Sequence, residues 1–287
     1  MSPSVKAFFD EATNTATYVV SDPWGMACAI IDPVLDFDQA SGRTSTGSSD
    51  EVIGYVLDNG LEVAWILETH AHADHLSAAQ HLREKTGGRT GIGSFITTTQ
   101  AIFKDLFNLA DEFAADGNQF DSVFDDGDLL ELGSINIHVM HTPGHTPACL
   151  TYLVGDCAFV GDTLFMPDYG TARVDFPGGD AATLYRSIQR IFGLPGKTRL
   201  FMCHDYKAPG RDHFAWECTV AEQRTNNIHI HEGISEADFI EFRNQRDARL
   251  GVPKLILPSI QVNIRAGQMP PASDNGVVYM KLPINAL

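Results

Sequence analysis

Metal-binding side chains crowd into one short stretch of this chain. Thr69-His70-Ala71-His72-Ala73-Asp74-His75 sets three imidazoles and a carboxylate within six residues. In an extended segment side chains alternate, so His70 and His72 point to one side, and Asp74 and His75 follow where the chain turns. A solvated polar loop gains little from such a cluster, because its imidazoles pack poorly and repel one another when protonated. Metal ligation is the chemistry these types share. His145 between Pro143-Gly144 and Thr146-Pro147, Asp162 after Gly161, and His204 after Cys203 are further ligand types, each just past an apolar run. Ligand types at the ends of successive strands converge on one site, which none of the three would establish alone. His81, His138, His213, His229 and His231 lack such a setting and read as ordinary surface or core histidines; His141 is close enough to the site to stay open.

The elements that must position these residues follow from periodicity and breakers. The apolar run 63–67 reads as a buried strand leading into the histidine loop. Asp74 is then expected to cap a helix carrying Leu76, Ala79, Leu82 and Arg83 and ending at Gly87-Gly88. Residues 5–9, 15–20 and 27–31 read as strands, 44–50 as a polar loop and 51–59 as a helix. Residues 135–139, 150–154, 158–160 and 200–203 read as further strands, with Gly155-Asp156 as a hairpin turn. Residues 180–192, 216–226 and 235–249 read as helices, and 277–282 as a late strand. Strands alternating with helices in two blocks predict a layered α/β domain. The expected division is a catalytic domain over 1–252 and an extension over 253–287, packed on that domain or on a second subunit.

The 287 residues carry 20 Lys and Arg against 37 Asp and Glu, a net charge of −17. Such a chain repels polyanions, which argues against nucleic acid as a partner and requires local cations for any anionic substrate. Five widely spaced cysteines without a C-x-x-C read as buried small hydrophobes in a reducing, cytoplasmic setting. The start of the chain lacks the apolar core of a signal peptide, and no window approaches a membrane span.

In their order along the chain, Thr69-His70-x-His72-x-Asp74-His75, Gly144-His145, Gly161-Asp162 and His204 resemble the metallo-β-lactamase superfamily. The resemblance implies an αββα sandwich, two mixed β-sheets flanked by helices, with the metal site at one edge of the sheets. Within the superfamily, His70, His72 and His145 on one metal and Asp74, His75 and His204 on a second, bridged by Asp162, is the two-zinc arrangement of glyoxalase II-type thioester hydrolases. There a metal-bound hydroxide is the nucleophile. The segment Gly161-Asp162-Thr163-Leu164, then Gly170-Thr171-Ala172-Arg173-Val174-Asp175-Phe176, and His204-Asp205-Tyr206 instead resemble the persulfide (sulfur) dioxygenases. Met166-Pro167-Asp168-Tyr169 and the stretch from Cys203 to Arg211 look like the bacterial branch named "β-lactamase-like hydrolase", which is associated with sulfide-responsive operons.

This second resemblance implies oxidation of glutathione persulfide by O2 to sulfite and glutathione, in sulfide detoxification. It implies one Fe(II) per chain held by His70, His145 and Asp162, with His72, Asp74, His75 and His204 as supporting residues or as ligands of a second metal. Two histidines and a carboxylate match the facial triad of non-haem Fe(II) oxygenases, which leaves positions for substrate and dioxygen. For the anionic substrate, Arg173, Lys207 and Arg211 are the candidate cations, Tyr206 a candidate hydroxyl donor, and Asp175 a partner able to fix Arg173. A homodimer is expected through the apolar segments of the C-terminal tail. A non-catalytic metal or sulfide sensor has no residue pattern in its favour.

Overall fold

The computed structural model describes residues 2–109 and 113–286. Residues 1 and 287, the outer ends of the two expected segments, lie outside the described residues, as do 110–112. One six-stranded sheet runs Ser4–Asp10, Thr15–Ser21, Ala27–Ile31, Glu62–Leu67, Arg89–Gly93 and Ser122–Phe124 in spatial order, antiparallel over its first three strands and parallel thereafter. The other runs Leu129–Leu132, Ile135–His141, Leu150–Val154, Cys157–Phe159, Arg199–Phe201 and Glu217–Thr219, with one parallel pair, Cys157–Phe159 beside Arg199–Phe201. Both sheets are therefore mixed. A small third sheet joins Val34–Asp38 to Arg43–Ser45 and Leu76–Ser77.

The helices are α1 Gly47–Asp58, α2 Ala79–Thr86, α3 Ile96–Leu106, α4 Ala181–Phe192, α5 Val220–Asn226, α6 Glu236–Asp247 and α7 Ile256–Asn263. Strand alternation builds three layers of core. Ile31, Leu67, Tyr152 and Phe201 meet between the sheets. Ile30 and Ile66, pointing the other way, pack with Val52 and Leu82 of α1 and α2. Leu200 packs outward with Leu184, Ile188 and Phe239 of α4 and α6. Because both faces are covered, the strand at 62–67 is apolar over most of its length. The architecture is the expected αββα sandwich. Among the described residues no helix is long and apolar enough to cross a membrane.

Several elements differ from expectation, each for a tertiary reason. Asp74 caps no helix: Leu76 and Ser77 pair with Leu35 and Val34, so the chain stays extended until α2, where Ser77 Oγ accepts the Ala79 N–H at 3.0 Å. The segment 216–226 divides because Cys218 pairs with Leu200 at the sheet edge. Its helix starts only after Thr219, whose side chain forms a capping box with Glu222. Residues 277–282 form no strand. The polar loop at 44–50 becomes a short strand and the first turn of α1. The strand at 89–93 and α3 escaped the sequence reading. All five cysteines are buried.

Candidate metal centre

Four strands deliver the ligands to one edge of the sandwich. His70–His75 follow the carboxyl end of Glu62–Leu67, His145 follows Ile135–His141, Asp162 follows Cys157–Phe159, and His204 follows Arg199–Phe201. Glycine allows the close approach of these loops. Gly161 has φ +52°, and a Cβ there would stand 2.6 Å from the Thr69 hydroxyl, beside His70. Gly144 has φ +139° and lies against α4, where a Cβ would meet Leu184 Cα at 2.4 Å.

His70, His72, His75 and His204 are at most 1% exposed, and His145 is 4% exposed. Each uses one ring nitrogen on an outer partner and turns the other toward its neighbours. His145 Nδ1 donates to Arg173 O at 2.8 Å, which leaves Nε2 a bare acceptor. His204 Nδ1 lies 3.3 Å from Asn14 O and 3.2 Å from Thr15 Oγ1. His70 Nδ1 lies 3.1 Å from Thr69 Oγ1, a hydroxyl that itself donates to Asp32 Oδ2 at 2.9 Å. His75 Nδ1 lies 3.4 Å from both Thr15 Oγ1 and Asp74 Oδ1. His72 is inverted: its Nε2 lies 3.0 Å from Asp32 Oδ1 and 3.3 Å from Glu68 Oε2, so its Nδ1 is the free atom. A carbonyl or carboxylate can only accept from a ring N–H, so these partners fix the tautomers and ring orientations.

The inward atoms His70 Nε2, His72 Nδ1, His75 Nε2, His204 Nε2 and Asp162 Oδ1 are buried without a hydrogen-bond partner. Buried polar atoms left unpartnered in that number are costly, and a metal ion would satisfy them, so the residues fit a metal. Two of the groups that the ligand residues form share no residue. His70, His145 and Asp162 form one; His72, Asp74, His75 and His204 form the other, and within each group the ligand atoms lie within 4.8 Å of one another. Asp162 stands between them. Its Oδ2 is 4.0 Å from His70 Nε2 and 3.7 Å from His145 Nε2, while its Oδ1 is 3.3 Å from His204 Nε2. Two metal–ligand bonds of about 2.1 Å span up to about 4.2 Å, so an ion can bridge Asp162 Oδ2 to either histidine of the first group. His204 Nε2 also lies 3.0 Å from Asp74 Oδ2.

Charge in the site is ordered. Burial, reinforced by the neighbouring imidazoles, holds His70 well below the usual histidine range, and burial with His72 brings His75 down to about 4. Both are thus neutral and ready to ligate at neutral pH. Burial raises the Asp162 carboxyl against the pull of His204 and His145. Burial also acts to raise Asp74, but His204 and His75 outweigh it and keep Asp74 ionised.

A cavity of about 230 Å³ opens over this floor. Asp74, His145 and Asp162 line its inner end, while Tyr206, Arg173, Arg243 and Arg246 line its wall. Arg173 is half-buried, bound by both oxygens of Asp175 at 2.6 Å each and to Gly251 O at 2.8 Å. Tyr206 Oη donates to Asp74 Oδ2 at 3.4 Å. Lys207 and Arg211 do not line the cavity: the Lys207 ammonium sits 4.2 Å over the Phe214 ring, and Arg211 is held between Asp168 and Asp205. His141 stacks on Phe95, away from the ligands, and His229 is buried with its Nδ1 accepting the Thr171 N–H at 3.0 Å.

Sequence reading passed over several residues that hold the site. Asp32 ends a strand before a proline and reads there as a terminator, yet it supports both His72 and Thr69. Glu68 sits beside the histidine motif without resembling a ligand. Asn263, at the end of α7, has its amide donating to His72 O and His75 O at 2.8 Å each and accepting the Ser77 N–H at 2.8 Å. A helix from the C-terminal segment thereby ties down the ligand loop, and its Ile256 and Ile260 share a core with Ala71 and Ala73.

The sequence model of the Metallo-beta-lactamase superfamily matches residues 12–204. The chain is 53% identical to a probable metallo-hydrolase of Burkholderia pseudomallei, over 99% of this chain and 100% of that one. It is 46% identical to Glyoxylase B2 of Dictyostelium discoideum, over 99% and 97%. It is 30% identical to the mitochondrial persulfide dioxygenase ETHE1 of Bos taurus, over 93% and 91%. Of two bacterial relatives described as beta-lactamase hydrolase-like proteins it spans 66% and 65% of the length. Among solved structures, ETHE1 from Myxococcus xanthus superposes with a TM-score of 0.73 at 29% identity, over 92% of this chain and 100% of that one.

Proposed function

The chain belongs to the metallo-β-lactamase superfamily, and on that premise we propose that it is an iron-dependent persulfide dioxygenase. The reaction converts glutathione persulfide, O2 and water to glutathione and sulfite. The observation that carries this reading is the His70, His145 and Asp162 group, two histidines and a carboxylate whose ligand atoms lie within 4.8 Å of one another, in a chain similar to a persulfide dioxygenase over 93% of its length. Bound Fe(II) would supply the redox chemistry between sulfur and dioxygen that Zn(II) cannot. The chain's own residues do the rest. Arg173 O fixes the His145 ring, Thr69 and Asp32 fix His70, and Tyr206 directs its hydroxyl to Asp74 at the cavity's inner end. Phe165 and Phe176 line the cavity with apolar surface, which strengthens electrostatic contacts by excluding water. Five buried cysteines, all with free thiols, support a cytoplasmic setting. The exposed apolar side chains Val277, Tyr279, Leu282 and Ile284 support a homodimer.

Metal analysis of protein purified without added metal, combined with an oxygen electrode, tests the reading. We expect iron and persulfide-dependent oxygen uptake; two zinc ions per chain with no such uptake would overturn it. A second reading, a two-zinc hydrolase of glutathione thioesters, is favoured by the other ligand group and by Asp162 facing both. It requires oxygen-independent turnover of S-lactoylglutathione by zinc-loaded protein.

A further inference from the structure

Three arginines line the cavity, and two of them are already committed. Arg173 is bound by Asp175 and by Gly251 O. Arg243, 1% exposed, is bound by Asp247 and by Thr171 O. Arg246 lies one helical turn beyond Arg243, on the face of α6 that reaches the cavity, and among the described residues its guanidinium has no hydrogen-bond or ion-pair partner. An unneutralised guanidinium beside a metal cavity is notable in a chain of net charge −17, whose other arginines at this site were each given a carboxylate. The cavity is thus polarised. Asp74 and Asp162 lie at its ligand end, and a single unspent cation stands on its wall.

We propose that Arg246 selects the substrate by binding a carboxylate remote from the reacting sulfur. The ligand class is a thiol-derived anion with a terminal carboxylate, its sulfur toward Asp162 and its carboxylate on the Arg246 fork, where paired N–H donors match carboxylate geometry. The sulfur end of this assignment rests on the persulfide reading above, while the carboxylate end stands without it. Arg173 then acts as a fixed part of the wall whose carbonyl orients His145, and Lys207 and Arg211 lie outside the cavity lining.

Titration calorimetry on metal-loaded protein separates the two ends, with glutathione and glutathione diethyl ester as probes. A charge-assisted hydrogen-bonded pair predicts that R246A weakens glutathione binding by about 10- to 100-fold. Diethyl ester binding should stay within a factor of about two of wild type, and R246K should recover part of the loss because it restores charge without the fork. With glutathione persulfide as substrate, the KM of R246A should rise by the same factor while kcat holds. Arg246 is exposed on its helix, so circular dichroism should show an unchanged fold. Equal losses for acid and ester, an unchanged R246A, or a wild type that binds no glutathione would each overturn the anchor. A wild type that binds glutathione through Arg246 yet oxidises no persulfide would retain the anchor and remove the persulfide reading. Persulfide oxidation indifferent to R246A would do the reverse.

Discussion

The ligand floor of the cavity and its arginine-bearing wall solve different problems. On the floor, five imidazoles are almost wholly buried, each anchored through one nitrogen by Arg173 O, Asn14 O, a threonine hydroxyl or a carboxylate. Strand ends position all of it. The wall comes from α6 and from loops, carries exposed groups such as Tyr206 and Arg246, and among the described residues keeps the Arg246 guanidinium unpaired. The floor is preorganised for one kind of chemistry, whereas the wall can change its selectivity without disturbing that chemistry. A rigid scaffold that carries variable recognition segments separates the two tasks physically.

The strongest test of that division strikes the floor. D162A removes the residue that faces both ligand groups, so bound metal should fall to a small fraction of its wild-type stoichiometry by mass spectrometry, and turnover should vanish with it. Retention of full metal content would show that the floor does not depend on Asp162. Next comes the tie from α7. N263D keeps the acceptor for Ser77 but withdraws the donors to His72 O and His75 O. A support of this kind predicts metal affinity weakened by about 10- to 100-fold, read by competition with a chelator. N263L also strands the Ser77 N–H, so it should lower stability by a further 1–3 kcal/mol or so in chemical denaturation.

Behind the wall, His229, which accepts the N–H of the lining residue Thr171, supplies a further test. Burial, then Arg243 and Arg246, bring this imidazole down to about 3. Its folded-state value therefore lies below the unfolded one of about 6.5, so between the two the unfolded chain holds the extra proton. Stability from this group is complete above that range and is lost as pH falls through it, by about 1.4 kcal/mol per pH unit. H229Q should remove that component from the pH dependence of unfolding measured between pH 4 and 6; an unchanged slope would contradict the assignment. Smallest is Y206F, which should change KM by only about 2- to 10-fold, because one hydrogen bond to a half-exposed group is at stake. A larger loss, in kcat, would move Tyr206 from the wall to the floor.

Much of the floor was legible because strand signals are local. An apolar run, a breaker and a ligand type in the next few residues place His70, His145, Asp162 and His204 at strand ends before any contact is known. The wall was not, since a cation's availability depends on what pairs with it. Arg211 and Lys207 flank His204 in sequence, yet Asp168, Asp205 and Phe214 occupy them, while Arg246 reaches the cavity from a helix more than 40 residues later. Helix and strand edges near the site misled for the same reason. Asp74 has the type and position of a helix cap, but pairing of Leu76 and Ser77 with the Val34–Asp38 strand removed the helix start it would have capped.

The sequence by itself determined the kinds of ligand, their placement at strand ends and the layered α/β plan, because alternation and chain breaking act over a few residues. Only the tertiary structure decided which nitrogen each imidazole presents. The deciding partners for His72, His145 and His204 lie 40, 28 and 190 residues away, and a ring turns only when packing brings its acceptor to it. The same holds for the helix that pins the histidine loop, since nothing local to His72 or His75 foretells the Asn263 amide, 191 and 188 residues away, that closes on both carbonyls.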